Sequence, residues 1–211
     1  MGFFTLAPVR IMGESVIDTA TGWNNSLWVG PIGENLSTIG QTFTVPAFTP
    51  QLESFSFWIG VDDFGPLRYA AYVAAWEGTR LTGPLLFETG LQTLPGSGGP
   101  RASHFITFNT GGIQLNPAAE YIAFVSTSAF QDDVFDQGVL GFRDADLYPG
   151  GQAFYQNNGS DFALLSQNPW VNLSGSDLAF RAGFAVPEPR TLWMALSGAL
   201  LIFLSRRWCT L

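Results

Sequence analysis

The stretch LESFSFWIGV at residues 52–61 shows the clearest alternation of apolar and polar side chains in the chain. Phe55, Phe57 and Ile59 fall on one face of an extended segment, and the residues between them fall on the other. This period of two is typical of a β-strand with one buried face. The chain contains 19 Phe and 7 Trp, which supports layered packing of such strands around an aromatic core.

The next apolar stretch, LRYAAYVAAW at 67–76, has the alanine content of a helix but also fits a period of two. Gly65-Pro66 and Gly78 flank it and favour a strand. Roughly ten short strands with frequent turn signals predict an all-β fold over residues 14–185, an antiparallel β-sandwich with jelly-roll-like connectivity. The other predicted strands are two short ones within 14–28, then 41–45, 85–88, 104–109 (ended by Gly111-Gly112), 120–128 and 177–184, with a hairpin of 151–157 and 162–165 turning at Asn158-Gly159.

Composition excludes several classes of function. The formal net charge is −8, every basic residue except the single histidine is arginine, and the one cysteine is Cys209. Nucleic acid is excluded as a partner, because its binding depends on positive charge. With no lysine, one histidine (His104) and no cysteine before residue 209, nucleophile-plus-base chemistry is nearly ruled out. We therefore predict a protein that is not an enzyme.

Glycoside hydrolysis is the catalytic alternative that composition leaves open, because it needs only two carboxylates at a defined separation. Glutamates stand near the ends of several predicted strands, but no spacing singles out a pair. A glycan-acting enzyme is therefore the most distant of the functions considered. The glutamates concerned are Glu53, Glu77, Glu88 and Glu120.

Residues 130–149 are predicted as the longest irregular stretch, and they concentrate aspartate. Asp132, Asp133 and Asp136 are weak candidates for Ca²⁺, a cation that prefers carboxylate and carbonyl oxygens. Asp144 and Asp146 are a second possible pair. The full EF-hand pattern is absent, and acidic surface loops are common on an acidic protein, so no cofactor is predicted and Ca²⁺ stays an open possibility.

Two tryptophans occupy predicted turns and are candidate stacking platforms for sugar rings. Trp23 stands between Gly22 and Asn24, and Trp170 follows Pro169. Trp58 and Trp76 alternate within predicted strands, and we expect them to fill the core instead. A carbohydrate-binding function would use Trp23 and Trp170.

The last residues, VPEPRTLWMALSGALLIFLSRRWCTL at 186–211, combine a stiff linker, an apolar run and two arginines. Pro187 and Pro189 around Glu188 disfavour helix, and an uncharged run of about 15 residues follows, which as a helix spans about 22 Å. Arg206 and Arg207 then provide a positive-inside stop. This pattern predicts a short C-terminal hydrophobic helix that enters a membrane; the alternative is a linker followed by a buried helix.

This tail resembles the PEP-CTERM sorting signal of bacterial surface proteins. The resemblance implies that an exosortase recognises the Pro187-Glu188-Pro189 motif and cleaves near it. It also implies that the protein is exported to the cell surface or an extracellular exopolysaccharide matrix. The body is also similar to β-sandwich domains that often precede such signals, on the segments IGQTFTVP (39–46), LESFSFWI (52–59), YVAAWEGTRLTGPLLFE (72–88), YIAFVST (121–127) and DLAFRAGF (177–184).

Three regions follow from these interpretations: 1–13 as the remnant of a leader or a disordered segment, 14–185 as the sandwich, and 186–211 as the sorting signal. Export would require a signal peptide, and we expect the natural start to lie upstream of Met1. The leading hypothesis is a structural or adhesive surface protein, anchored transiently in the membrane and then passed to the surface. The alternative is a carbohydrate-binding module of the envelope matrix.

Overall fold

Two antiparallel sheets pack face to face in the computed structural model of the chain, which describes residues 14–33, 36–62, 66–131 and 137–185. The predicted all-β sandwich is confirmed. The strands are β1 (Ser15–Asp18), β2 (Trp28–Ile32), β3 (Thr38–Thr44), β4 (Gln51–Val61), β5 (Leu67–Glu77), β6 (Arg80–Glu88), β7 (Gln92–Leu94), β8 (Ala102–Gln114), β9 (Glu120–Ser126), β10 (Gly138–Arg143), β11 (Ala153–Gln156), β12 (Val171–Asn172), β13 (Asp177–Leu178) and β14 (Phe180–Ala185), with one short helix α1 (Leu164–Gln167) and a 3₁₀ turn at Ser128–Phe130.

The front sheet is organised around β4, which pairs with β14, β8 and β10. Strand β1 lies outside β14, while β2 and β13 pair with β10. The back sheet runs in the order β12-β11-β3-β9-β5-β6, and β7 pairs with β5. The first and last strands of the described domain, β1 and β14, are therefore neighbours in one sheet.

The core between the sheets follows the alternation read from residues 52–61. Phe55, Phe57 and Ile59 of β4 are fully buried. The Phe180 ring of the front sheet lies 5.1 Å from that of Phe57 and 6.1 Å from that of Phe43 in the back sheet, measured between centroids. These rings join the two layers. The residues predicted to face inward near the end of the domain, Leu178, Phe180, Ala182 and Phe184, are all fully buried.

A second apolar layer covers the outer face of the back sheet. Tyr72 of β5 stacks on Phe124 of β9 at 4.9 Å, and residues 157–170, which include α1, lie over them. Burial raises the pKa of Tyr72 to about 12, with a smaller contribution from the charge of Glu88. The back sheet is therefore apolar on both faces along most of its length, whereas the front sheet packs against another layer only through its inner face.

A buried carboxylate ties the sheets together at one point. Asp177 of β13 is fully buried and accepts hydrogen bonds from Gln41 Nε2 at 2.8 Å and from the backbone N–H groups of Leu147 and Tyr148 at 2.8 and 2.9 Å. Gln41 Oε1 in turn accepts from the N–H of Leu178. Burial raises the pKa of Asp177, and the three donors partly oppose that effect. This network fixes the loop before β11 against both sheets.

Three details of the strand predictions are wrong. Residues 138–143 form β10, although 130–149 was predicted to be irregular. The hairpin at Asn158-Gly159 does not form, because β11 pairs with β3 and β12 and the chain enters α1 instead. Strand β8 continues to Gln114 because Gly111 and Gly112 both adopt positive φ and accommodate a register shift rather than ending the strand.

The predicted terminal regions 1–13 and 186–211 lie outside the described residues, so the C-terminal helix, the motif Pro187-Glu188-Pro189 and the stop at Arg206 and Arg207 stay predictions. Within the ranges that the structure covers, no helix has the length and apolar character needed to cross a membrane.

Candidate functional site

Four aromatic rings gather on the outer face of the front sheet, and we call them the tryptophan face: Trp23, Trp28, Trp58 and Phe105. Trp23 meets Trp28 edge-on at 4.6 Å and lies 5.3 Å from Trp58, which in turn lies 5.2 Å from Phe105. The three indoles are half-buried, and Phe105 is 39% exposed. The chain thus presents a continuous aromatic surface on the side of the front sheet that faces away from the core.

Strand alternation and two glycines create this surface. Trp58 points outward because its neighbours Phe57 and Ile59 point into the core. A Cβ at Gly60 would lie 2.9 Å from Trp28 Cζ3, and a Cβ at Gly141 would lie 3.0 Å from Trp23 Cζ2 and 2.8 Å from Trp58 Cβ. These two positions therefore need glycine, since any side chain would lift the indoles off the sheet.

The loop that carries Trp23 is held by hydrogen bonds at several points. Arg143 donates to the carbonyl oxygens of Thr19, Thr21 and Gly22, and Trp23 Nε1 donates to the carbonyl of Phe142 at 3.1 Å. Asp18 accepts hydrogen bonds from the following turn. Burial opposes ionisation of Asp18, but these bonds and the charge of Arg181 outweigh it and lower its pKa. The Trp23 ring is thus fixed before any ligand arrives.

An arginine borders the tryptophan face. The guanidinium of Arg101 lies 5.3 Å from the centroid of Trp28, within cation–π range, and donates two hydrogen bonds to Asp62 at 2.8 and 2.9 Å. These bonds hold the pKa of the Asp62 carboxyl below its usual range. Ser103 donates to Asn25 Oδ1 at 2.8 Å on the same side. The rim therefore offers polar groups around an apolar centre.

A second concave surface, which we call the polar groove, lies at one end of the outer face of the back sheet and has a volume of about 360 Å³. Burial raises the pKa of Glu120 in this groove, although the Thr42 hydroxyl opposes the change. Its lining comprises Thr42, Thr44, Gly78, Glu120, Pro149, Gly150, Gly151, Gln152, Phe154 and Asn172. Only Glu120 among these described lining residues carries a charge.

The two predicted stacking residues have different surroundings. Trp23 belongs to the tryptophan face, together with Trp58, which we had assigned to the core. Trp170 is only 3% exposed: its ring packs on Trp76 and Phe124, and its Nε1 donates to the carbonyl of Leu165 at 2.9 Å. A sugar cannot reach this ring. The proline before it marked a turn, but this turn belongs to the second apolar layer and directs the ring onto the back sheet.

The calcium candidates Asp132, Asp133 and Asp136 lie outside the described residues. Asp144 and Asp146 are both exposed. Among the residues that the structure describes, no group of three or more His, Cys, Asp or Glu side chains is arranged to hold a metal ion.

Comparisons with known proteins identify the fold but no family. No protein-family model matches the chain, and no curated protein matches it. A solved structure of the clostridial cysteine protease Cwp84 after propeptide cleavage is similar over 82% of this chain and 40% of its own length, with a TM-score of 0.50 and 16% identity. A second structure, of the cysteine protease and lectin-like domains of Cwp84, a surface layer associated protein of Clostridium difficile, covers 72% of this chain and 33% of its own length, with a TM-score of 0.45 and 15% identity. At 16% identity the likeness to the first structure concerns the fold alone.

Proposed function

We propose that this protein is an adhesive component of a bacterial envelope matrix that binds carbohydrate through the tryptophan face. The observation that carries the proposal is the gathering of Trp23, Trp28, Trp58 and Phe105 on the outer side of the front sheet. Sugar rings bind flat aromatic surfaces with their apolar faces, while polar groups at the rim hydrogen-bond the ring hydroxyls. Indoles that are already fixed lose little conformational entropy on binding, which favours affinity.

Burial alone does not account for the tryptophan face. The inter-sheet core is complete without these rings, because it is filled by the inward residues of both sheets. Large aromatics on an outer sheet face leave apolar area in water, and such patches often mark interaction sites. Asn25, Ser103 and Arg101 at the rim supply the hydrogen-bonding groups that a polyhydroxylated ligand needs.

The export part of the proposal rests on the sequence of residues 186–211. We propose that an exosortase processes this segment at Pro187-Glu188-Pro189 after transient anchoring in the inner membrane, with Arg206 and Arg207 on the inner side. The domain would then reach the cell surface or the exopolysaccharide matrix. Jelly-roll-like connectivity of the sandwich is the corresponding proposal for the finer fold class.

Binding is favoured over catalysis by the chemistry of the two concave surfaces. The tryptophan face has Asp62 at its rim, already paired with Arg101, and the described lining of the polar groove includes one carboxylate, Glu120. Glycoside hydrolysis uses two opposed carboxylates. We therefore propose a binding protein rather than an enzyme.

Affinity electrophoresis through gels containing soluble polysaccharides tests the proposal. We expect retardation of the wild-type domain by at least one glycan, and loss of that retardation in Trp23→Ala and Phe105→Ala. Phe48→Ala is the matched control, because Phe48 is 74% exposed and lies outside the tryptophan face. Unretarded migration of the wild type across the panel, or equal retardation of Trp23→Ala and Phe48→Ala, would contradict carbohydrate binding at this surface.

Sorting is tested separately in a host that has an exosortase. Glu188→Ala should leave the full-length precursor in the membrane fraction, and Glu77→Ala, which makes the same change on the exposed end of β5, should be processed normally. Equal processing of the two variants would refute recognition of the motif.

A further inference from the structure

We propose that the polar groove is a second carbohydrate-binding site, specific for neutral glycans, on the opposite outer face of the sandwich from the tryptophan face. The inference goes beyond the proposed function, since it concerns different residues and a different sheet. Thr42 and Thr44 point outward from β3 because Phe43 between them is buried in the inter-sheet core. Alternation in β9 likewise separates Glu120 from the buried Tyr121.

The wall of the groove is built to a fixed shape. Gly151 packs so closely on β3 that a Cβ at this position would overlap the carbonyl oxygen of Thr42. Thr44 Oγ1 donates to the carbonyl of Gly150 at 2.8 Å, and Gln152 N donates to Thr42 Oγ1 at 2.9 Å. Tyr148 Oη bonds the backbone of Thr44 at 3.2 Å. These contacts hold residues 149–152 against β3, so the groove exists without a ligand.

The lining offers the donors and acceptors that sugar hydroxyls need. Asn172 Nδ2 donates to Gln152 Oε1. Each amide carries two donors and an acceptor oxygen, so this single bond leaves further donors on both groups and the Asn172 oxygen as an acceptor. The Glu120 carboxylate adds two acceptor oxygens to the lining. Paired donors and acceptors of this kind match vicinal hydroxyls, each of which both donates and accepts.

Charge selects neutral ligands. Glu120 lines the groove with an exposed side chain, and its carboxylate would repel a uronate or sulfate placed there. The groove volume of about 360 Å³ lies at the lower end of the range for small-molecule sites, which fits the end of a chain or one or two sugar units. With sites on two opposite faces, one molecule can bridge two polymer strands, which is the property that a matrix adhesive requires.

Titration calorimetry on the Trp23→Ala background tests the groove independently of the tryptophan face. The probes are oligosaccharides of glucose, mannose, galactose and N-acetylglucosamine, with a galacturonate oligosaccharide as the anionic comparison. We expect one neutral probe to bind, and Gln152→Ala or Asn172→Ala to weaken that binding by about tenfold or more. Asn157→Ala is the control, since Asn157 is exposed and outside the groove lining. Glu120→Gln should admit the galacturonate probe.

The outcomes separate the two sites. If Trp23→Ala binds none of the neutral probes, or if Gln152→Ala and Asn157→Ala bind equally well, the groove proposal is overturned while the tryptophan face is unaffected. The opposite result is also distinguishable. If the Trp23→Ala variant binds a neutral probe through Gln152 and Asn172, the groove proposal holds. If, in the gel assay, Trp23→Ala is retarded as strongly as the wild type, the proposed function of the tryptophan face fails. Unchanged thermal melting of each variant shows that loss of binding is not loss of fold.

Discussion

Replacing Asp177 should destabilise the domain more than any other change of a single carboxylate described above. Asp177→Ala leaves three donors without their acceptor: Gln41 Nε2 and the N–H groups of Leu147 and Tyr148. A buried donor that loses its partner costs about 1–3 kcal/mol. Water that enters the space and the removal of a buried charge offset part of that sum, so we expect a loss of about 3–5 kcal/mol in the free energy of unfolding.

Asp177→Asn examines the same network at constant shape. If the new amide oxygen faces the backbone N–H groups of Leu147 and Tyr148, its NH₂ group faces Gln41 Nε2, donor against donor. Turning the Gln41 amide over repairs that contact but sets its NH₂ against the N–H of Leu178, whose present acceptor is Gln41 Oε1. No rotation satisfies every donor, so we expect a loss of about 1–3 kcal/mol.

Urea unfolding followed by tryptophan fluorescence measures both variants, with Asp144→Asn as the control. Asp144 is exposed, so this substitution removes the same charge without touching a buried network. The expected order of stability is the wild type and Asp144→Asn together, then Asp177→Asn, then Asp177→Ala. The reasoning is refuted if Asp177→Asn unfolds within about 0.5 kcal/mol of Asp144→Asn.

Three further substitutions test other parts of the fold. Gly40→Ala should lower the free energy of unfolding in urea by about 2 kcal/mol or more, because the new Cβ would lie 2.6 Å from Phe124 Cβ. The control Gly99→Ala meets nothing within 4 Å and should be near neutral. Equal costs for the two variants would contradict this reasoning. Arg101→Ala should cost less than about 1 kcal/mol at neutral pH, because the pair is partly exposed. The pKa of its partner Asp62 is lowered from 3.8, so the ion pair contributes stability above pH 3.8 and loses it as the pH falls through the lowered pKa. The difference from wild type should therefore shrink in acid to the part that the cation–π contact with Trp28 supplies, and a difference that does not change with pH would refute the pair's role. Trp170→Phe should lower the free energy of unfolding by about 1–3 kcal/mol and leave glycan retardation unchanged. Reduced retardation with unchanged stability would instead identify Trp170 as a binding residue.

Periodicity predicted the strands whose two faces meet different environments. Residues 52–61 alternate because one side meets the inter-sheet core and the other meets solvent or the tryptophan face. For 67–76 the period of two did not exclude a helix, and the flanking Gly65-Pro66 and Gly78 favoured the strand that is observed. Strand β5 is buried on both faces, so its small side chains reflect close packing under the second apolar layer rather than helix propensity. A periodic signal of this kind arises from the strand itself and can be read without knowing its neighbours.

Signals that depend on distant contacts were misread. Asn158-Gly159 looks like a hairpin turn, but the Asn158 side chain is buried, where its Oδ1 accepts from Thr38 and its Nδ2 donates to the carbonyl of Asp161. The asparagine is there for its side chain, not for a two-residue turn. Trp170 was misread for the same reason, because the rings that bury it, Trp76 and Phe124, lie on strands far away in sequence.

The glycines of the front sheet explain why the candidate site was only partly foreseen. The segment GVLGFR at 138–143 has weak strand propensity because two of its six residues are glycine. Gly141 nevertheless makes room for the rings of Trp23 and Trp58, and Gly60 does the same for Trp28. Local sequence rules fail most often where a site requires a residue that the local structure would not choose. A glycine inside a strand that also contains or neighbours tryptophan is therefore a usable signal: it indicates a tryptophan packed closely on the sheet, and in this chain it points to Trp28 and Trp58 alongside Trp23.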